Sequence, residues 1–201
     1  MIKRKPFEYG VFADIETVKK YDKENKQRTQ RLSKSFISVV KKWEIKSGKI
    51  LDVGCGTGLL AIEFAKNLSG VEIIGLDLSD VALEVDRENI RKSEVIERIS
   101  FKKGDAEDIP FEDNTFNLVI SSNTLHLIMN PIKMFNEIHR VLKPKGKFFI
   151  SDFRRSWIGI FSKHVRASYS PKEVKTFLSQ SELQNWKVKD YFFWLSIFSK
   201  V

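Results

Sequence analysis

Three features of this 201-residue chain predict an α/β fold built on a mostly parallel sheet. Short apolar runs alternate in order with amphipathic stretches, the pattern of strands joined by helices. One run, Phe116 to Ser121, is apolar almost without a break, as in strands buried on both faces. The first run ends in a cluster of glycines that opens a helix.

From Asp14 to about Trp43 the chain is strongly charged, with apolar Leu32, Phe36, Val39, Val40 and Trp43 spaced three and four apart. That spacing predicts an amphipathic helix. Asp14 is placed to cap a separate, earlier helix running to about Lys26. Lys49 to Val53 is the first strand, and Leu59 to Leu68 the helix after it. Val71 to Leu76 and Ser79 to Lys92 form the next pair, with Ser79 as N-cap. Ile99 to Lys103 and Phe116 to Ser121 are the next strands. Asn130 to Leu142 is a helix stopped by Lys143-Pro144, and Lys147 to Ser151 is a further strand. In the tail, Ser170-Pro171 opens a helix to about Gln180. Trp186 to Tyr191 and Trp194 to Lys200 follow as strands, joined so tightly that they pair antiparallel.

Composition narrows the possible functions. Apolar residues make up 42% of the chain, enough for a buried core, which excludes wholesale disorder. A single cysteine, Cys55, excludes an internal disulfide framework and a multi-cysteine metal site, and no metal is expected. It fits a reducing, cytoplasmic setting. No run approaches the roughly 18 apolar residues of a membrane span, so no transmembrane segment is expected. The net charge of +9 is unevenly spread: +8 over residues 1–49, −7 over 50–142 and +8 over 143–201. Basic ends that met in space would attract an anionic partner; a lysine-rich solvated surface is the alternative reading.

The most informative stretch is Ile50-Leu-Asp52-Val-Gly54-Cys55-Gly56-Thr57-Gly58. Glycines let a backbone approach a ligand closely, and a helix N-terminus offers free N–H groups. A dinucleotide fingerprint would need glycine at position 59, where Leu59 stands, and the Gly-Lys-Ser/Thr ending of a triphosphate loop is absent. Asp77 closes the second strand, about 20 residues on, the spacing at which a carboxylate meets ribose hydroxyls. Asp105 closes the third, where it can accept from an adenine amino group. Taken singly, each aspartate reads as a cap or loop residue; together, Asp52, Asp77 and Asp105 sit at successive strand ends, where open α/β sheets bind ligands.

These segments resemble the ordered motifs of class I S-adenosylmethionine (SAM) methyltransferases. The resemblance lies in Asp52 to Gly58, Gly75 to Ser79, Gly104 to Phe111, Phe116 to His126 and Glu137 to Gly146, and it covers about residues 45–152. The branch most similar is the ubiquinone/menaquinone-type C-methyltransferases. The resemblance implies a Rossmann-like sheet of seven strands, the last antiparallel. It also implies that Gly54, Cys55, Gly56, Thr57 and Gly58 pack against the methionine part of SAM, with Asp52 ordering its amino group. Asp77 would take the ribose hydroxyls, Leu78 the adenine face, Asp105 and Ala106 the adenine edge, and Ser122 the sulfonium end. Lys145 departs from the pattern, since the family often has glycine before Gly146. The expected organisation is one domain: residues 1–46 as a helical cap on the substrate side, 47–152 as the cofactor core, and 153–201 as a substrate-side segment with the hairpin.

The sulfonium is its own activated leaving group, so the protein's task is to hold an acceptor in line and, for oxygen, nitrogen or carbon acceptors, to manage a proton. His126, just past the fourth strand, is the candidate base, against the alternative that it only packs near the cofactor. His164 lies in the segment 153–169, and His139 is expected away from the cleft. Tyr9, Phe12 and Tyr21 near the N-terminus, with Arg154, Trp157 and His164, would line an acceptor pocket suited to a small anionic or aromatic molecule. Trp157 to Phe161 equally fits core packing, or contact with a membrane surface. The alternatives in function are an RNA methyltransferase using the basic ends, and a non-catalytic SAM-binding module. No Asn/Asp-Pro-Pro-aromatic motif follows the fourth strand, where Ser121-Ser-Asn-Thr124 stands, and by the same resemblance this argues against methylation of exocyclic amines.

Overall fold

Why the sheet is buried on both faces is visible in its side chains. The computed structural model describes residues 2–6, 14–91 and 93–200. Its strands are β1 (Ser47–Val53), β2 (Gly70–Asp77), β3 (Ile99–Lys103), β4 (Phe116–Ser122), β5 (Leu142–Phe153), β6 (Trp186–Asp190) and β7 (Trp194–Ser199). They form one seven-stranded sheet in the order β3-β2-β1-β4-β5-β7-β6. β1 to β5 are mutually parallel, and β7 runs antiparallel to both β5 and β6. The predicted α/β class, with its antiparallel hairpin at the C-terminal end, is therefore the observed one.

The helices are α1 (Ile15–Lys42), α2 (Leu59–Asn67), α3 (Asp80–Arg91), α4 (Pro131–Val141), α5 (Lys163–Ala167) and α6 (Pro171–Gln180). Alternate residues of each strand feed two cores. Ile50, Ile73, Leu118, Ile120 and Phe149 pack with α1 and α2 residues such as Phe36, Val40, Leu60 and Phe64. Leu51, Val119, Phe148 and Ile150 pack with α4 and α6 residues such as Phe135, Ile138 and Leu178. Among the described residues no helix is long and apolar enough to cross a membrane.

The structure corrects two sequence expectations. The two N-terminal helices are one: α1 runs unbroken from its Asp14 cap, which accepts from the Thr17 N–H at 2.8 Å. No glycine or proline falls between residues 15 and 42 to interrupt it. Strand β5 begins at Leu142, directly after α4, instead of at Lys147. Its early part carries Lys145 at φ +68°, a left-handed conformation in which a side chain is strained. That conformation accounts for the glycine often found there in the family the sequence resembles.

Successive strands are laid outward from β1 to β3 on one side and then from β4 on the other, so the strand order reverses between β1 and β4, which pair in parallel. At such a switch point the loops after the two strands part and leave a crevice at their carboxyl ends. Everything that follows sits along this carboxyl edge. The surface clefts lined by Lys46, Asn117 and Lys143 lie at the opposite, amino edge.

Candidate functional site

Between β1 and α2 the chain makes a turn that its neighbours hold in place. The N–H groups of Gly54 and Cys55 both donate to the Leu76 carbonyl, at 2.7 and 3.0 Å, pinning the turn to the end of β2. Gly54, Gly56 and Gly58 all have positive φ (70°, 57° and 69°), and they differ in what surrounds them. A Cβ on Gly54 would come 2.2 Å from Thr124 Oγ1, and one on Gly58 would come 2.6 Å from Asp86 Oδ1. At Gly56 a Cβ would meet nothing within 4 Å among the described residues. Two glycines therefore let the turn pack against its neighbours, while Gly56 faces open space.

Buried carboxyl groups crowd beneath this turn. Asp52, only 1% exposed, has its Oδ2 without a hydrogen-bond partner among the described residues. Burial, and then the nearby Asp77, push its carboxyl up to about 8. Asp77 accepts from the N–H groups of Gly56 (2.8 Å) and Ser79 (2.9 Å). Burial raises Asp77 above the usual carboxylate range, and these backbone donors oppose the rise. Asp86, on α3, accepts from the Cys55 thiol at 3.4 Å. Burial, followed by the charges of Asp77 and Asp52, lifts its carboxyl to about 9, against the Cys55 hydrogen bond. Among the described residues, none of the influences on these three carboxyls is a nearby cation. A ligand bearing positive charge would complete such a site.

The other residues singled out by sequence fall around this centre in different ways. Cys55 is buried, its thiol raised by burial first and then by Asp86, and its sulfur lies against Gly75. What Cys55 can offer a ligand is therefore backbone. Thr57 is buried, and its carbonyl accepts from Asn89 Nδ2 at 3.0 Å. Asn89 also donates to Asp22 of α1, at 3.1 Å. Leu78 is 64% exposed at the end of β2. Asp105 is exposed and closes a turn by accepting from the Glu107 N–H at 2.8 Å, while Ala106 is buried in the core. Ser122 is half-buried at the end of β4.

Past β4, His126, the candidate base, is 2% exposed, and protein groups meet both of its ring nitrogens. Nδ1 lies 2.8 Å from Asp152 Oδ1, and Nε2 lies 3.0 Å from Nδ1 of His164. The His126 N–H also donates to Asp152 Oδ2 at 2.7 Å. This turn starts beside the glycine loop, since Thr124 Oγ1 is 3.3 Å from the Gly54 carbonyl. His164 is half-buried, its imidazole held below the ordinary value by burial, then by His126, with Arg28 adding and Asp152 opposing. Phe153 lies 5.7 Å from the His164 ring and stacks on Trp194 at 4.5 Å. The Arg28 guanidinium covers both aromatic faces, at 5.0 and 4.6 Å. Tyr21, two turns before Arg28 on the same face of α1, has its phenol raised by burial, with Arg28 opposing and Asp152 adding.

Of the predicted acceptor residues, the structure brings His126, His164 and Tyr21 together. Two others lie elsewhere. Arg154 reaches away to Asp190 (3.1 Å) and the Tyr191 carbonyl (3.2 Å), and Trp157 stands 64% exposed. Tyr9 and Phe12 lie outside the described residues. His139 is exposed on α4, as expected of a residue outside the cleft. Sequence reasoning missed Asp86, Asp152, Arg28 and Trp194. Asp152 carried a signal, because it closes an apolar strand just as Asp52 and Asp77 do.

Comparison with known proteins gives one direction. A family model described as a methyltransferase domain matches residues 45–190. The ubiquinone/menaquinone biosynthesis C-methyltransferase UbiE of Citrifermentans bemidjiense is 34% identical over 116 residues, which cover 57% of this chain and 49% of that protein. The chain spans about half the length of such curated relatives. A SAM-dependent methyltransferase from Aquifex aeolicus superposes with a TM-score of 0.73 at 22% identity, covering 92% of this chain and 97% of that one, a likeness of fold. Phosphoethanolamine N-methyltransferase 2 of Haemonchus contortus, solved in complex with SAM, superposes at 0.63 with 26% identity, covering 72% of this chain and 35% of that one.

Proposed function

The chain belongs to the methyltransferase-domain family, among the class I SAM-dependent methyltransferases, and from this membership we propose that it methylates a small hydroxylated aromatic or anionic acceptor. The observation that carries the reading is the buried, unpartnered Asp52 Oδ2 at the start of a turn whose Gly56 faces open space, with the carboxyls of Asp77 and Asp86 close by and no cation against them among the described residues. The residues present fit SAM, whose ammonium and sulfonium groups are the missing positive charges. The glycine turn and Asp52 would hold its methionine end, with Cys55 and Thr57 contributing backbone. Asp77 would hold the ribose hydroxyls, Leu78 the adenine face, Asp105 and Ala106 the adenine edge, and Ser122 the sulfonium end. In this reading residues 47–152 form the cofactor core, and the flanking segments form the acceptor side.

When bound, SAM supplies a methyl group already activated for displacement. The chain's own residues then have to hold the acceptor and manage a proton. Phe153, Trp194 and Arg28 form a wall with aromatic faces and a cation, which suits a flat ring bearing an oxygen. The hydrogen-bond chain orders the histidine tautomers. Asp152 accepts from Nδ1–H of His126, so Nε2 of neutral His126 accepts from Nδ1–H of His164. In that tautomer the basic lone pair of His164 lies on Nε2. His164 is therefore the proposed base, and His126 and Asp152 are positioning residues, which moves the role expected of His126 outward by one residue. A proton leaving the acceptor's hydroxyl would go to His164 Nε2; the oxygen itself then becomes the nucleophile, or an adjacent ring carbon does and afterwards gives up its own hydrogen as a proton to restore the ring. The curated relatives' name as C-methyltransferases favours ring carbon.

Titration calorimetry with S-adenosylhomocysteine (SAH) tests the cofactor reading. Wild type should bind, and Asp77→Ala should weaken binding by about a hundredfold or more, the loss of two hydrogen bonds to a charged acceptor. Absence of binding in the wild-type protein would end this reading.

A further inference from the structure

Large apolar side chains are exposed at one end of the molecule. Among the described residues, every exposed large apolar side chain except Ile96 lies in a loop at the carboxyl edge. The densest group sits on two turns. Trp157, Ile160 and Phe161 are 64%, 67% and 81% exposed after β5, and Tyr191, Phe192 and Phe193 are 50%, 64% and 46% exposed between β6 and β7.

These turns are built to hold their side chains outward. The Gly159 and Phe161 N–H groups bond back to Ser156 and Ile158, at 3.0 and 2.9 Å. A Cβ on Gly159 would come 3.1 Å from the Arg166 backbone, so the turn is packed on α5. The second turn closes through Tyr191 N–H to the Trp194 carbonyl at 2.8 Å. Arg154 ties the two turns at their roots: its N–H donates to the Phe193 carbonyl, and its guanidinium reaches Tyr191 and Asp190.

The charge around them is mostly positive. Residues 153–172 contain Arg154, Arg155, Lys163, Arg166 and Lys172, and no Asp or Glu. Lys5 N–H donates to the Arg166 carbonyl at 3.2 Å, which brings exposed Lys3 and Lys5 to the same place. The flanking acids are engaged, Asp190 by Arg154 and Glu173 by Arg155.

We propose that this face docks on an anionic lipid surface, with the aromatic tips at headgroup depth and the lysines and arginines against lipid phosphates. Aromatic and aliphatic side chains ringed by cations match such an interface in both polarity and charge. The docking stands apart from the methyl-transfer reading, because it uses none of the residues assigned to SAM or to the base. It would also turn the carboxyl edge, with its site, toward the lipid.

Flotation of the full chain with vesicles tests this directly. Wild type should float with equimolar phosphatidylcholine and phosphatidylglycerol, less in high salt, and poorly with phosphatidylcholine alone. Ile160→Ser with Phe161→Ser should weaken the association about tenfold or more. The same variant should keep its thermal midpoint and SAH affinity, and Phe192→Ser provides an independent variant on the second turn. The proposal fails if the wild type does not float with the anionic vesicles, or if the serine variants float as well as wild type. It also fails if the face instead joins two copies, seen as a dimer that the substitutions dissociate without any vesicle binding. Salt-sensitive binding to a single-stranded RNA oligonucleotide in place of vesicles would likewise overturn it.

Discussion

Asp152, His126 and His164 show how much depends on single atoms. His126 alone would be an ordinary imidazole past a strand, but two hydrogen bonds fix its tautomer and pass that order on to His164. Burial, then neighbouring His126, hold His164 below its ordinary value, which favours the neutral ring. The groups facing it are His126, Asp152, Arg28, Phe153 and, through Asp152 and Arg28, Tyr21. Asp152 acts in the other direction, favouring the charged form, so Asp152→Asn should lower the His164 midpoint further. The same substitution should release the His126 tautomer. Nitrogen-15 NMR titration of the two rings would read both effects, and an unchanged His164 midpoint would count against the chain as drawn.

Among the elements, α6 is the one whose end is most fully specified. Ser170 Oγ accepts from the Glu173 N–H, and Glu173 Oε2 accepts from the Ser170 N–H at 2.8 Å, a reciprocal cap. The same carboxylate takes Arg155 at 2.6 Å. Burial would raise Glu173, but Arg155 and Ser170 outweigh it and leave the carboxyl below its ordinary value. Ser170→Ala should cost about 1 kcal/mol in urea unfolding without altering SAH affinity. A loss below about 0.3 kcal/mol would show that Arg155 alone holds the helix start. This cap was legible in Ser170-Pro171, whereas the length of α1 was not. Two charged stretches with different apolar spacing read as two helices, and only packing on both α2 and α3 shows one continuous rod.

For the whole molecule, the buried carboxyls set the response to pH. Asp52 and Asp86 have folded-state values of about 8 and about 9, against an ordinary value of 3.8. Between these limits the folded chain holds protons that the unfolded chain has lost, so stability falls as pH rises. Below the ordinary value both states are protonated, and that contribution is fully present. The midpoint of thermal unfolding without ligand should therefore drop from pH 6 to pH 9. SAH should restore part of it, since a ligand of the folded state alone stabilises that state. A midpoint that is flat over this range would contradict the burial of these groups. The basic ends belong to the same scale: Lys5 against Arg166 shows that head and tail meet at the carboxyl edge.

The sequence by itself determined the alternation of strands and helices, the glycine turn after β1, and the aspartates at the ends of β1, β2 and β3. Each of these is local. Apolar period sets the element, a glycine sets the turn, and a strand's last residue reaches the carboxyl edge whatever lies beside it. Only the tertiary structure decided which side chains share a site. Strand order brings β4 beside β5, and so His126 to Asp152, while the segment after β5 folds back to set His164 on His126. α1 crosses over to lay Arg28 on Phe153 and Trp194. It also decided that Asp86 points inward under the glycine loop and that Trp157 points out. A residue's partner depends on distances across the sheet, and no periodicity along the chain records those distances.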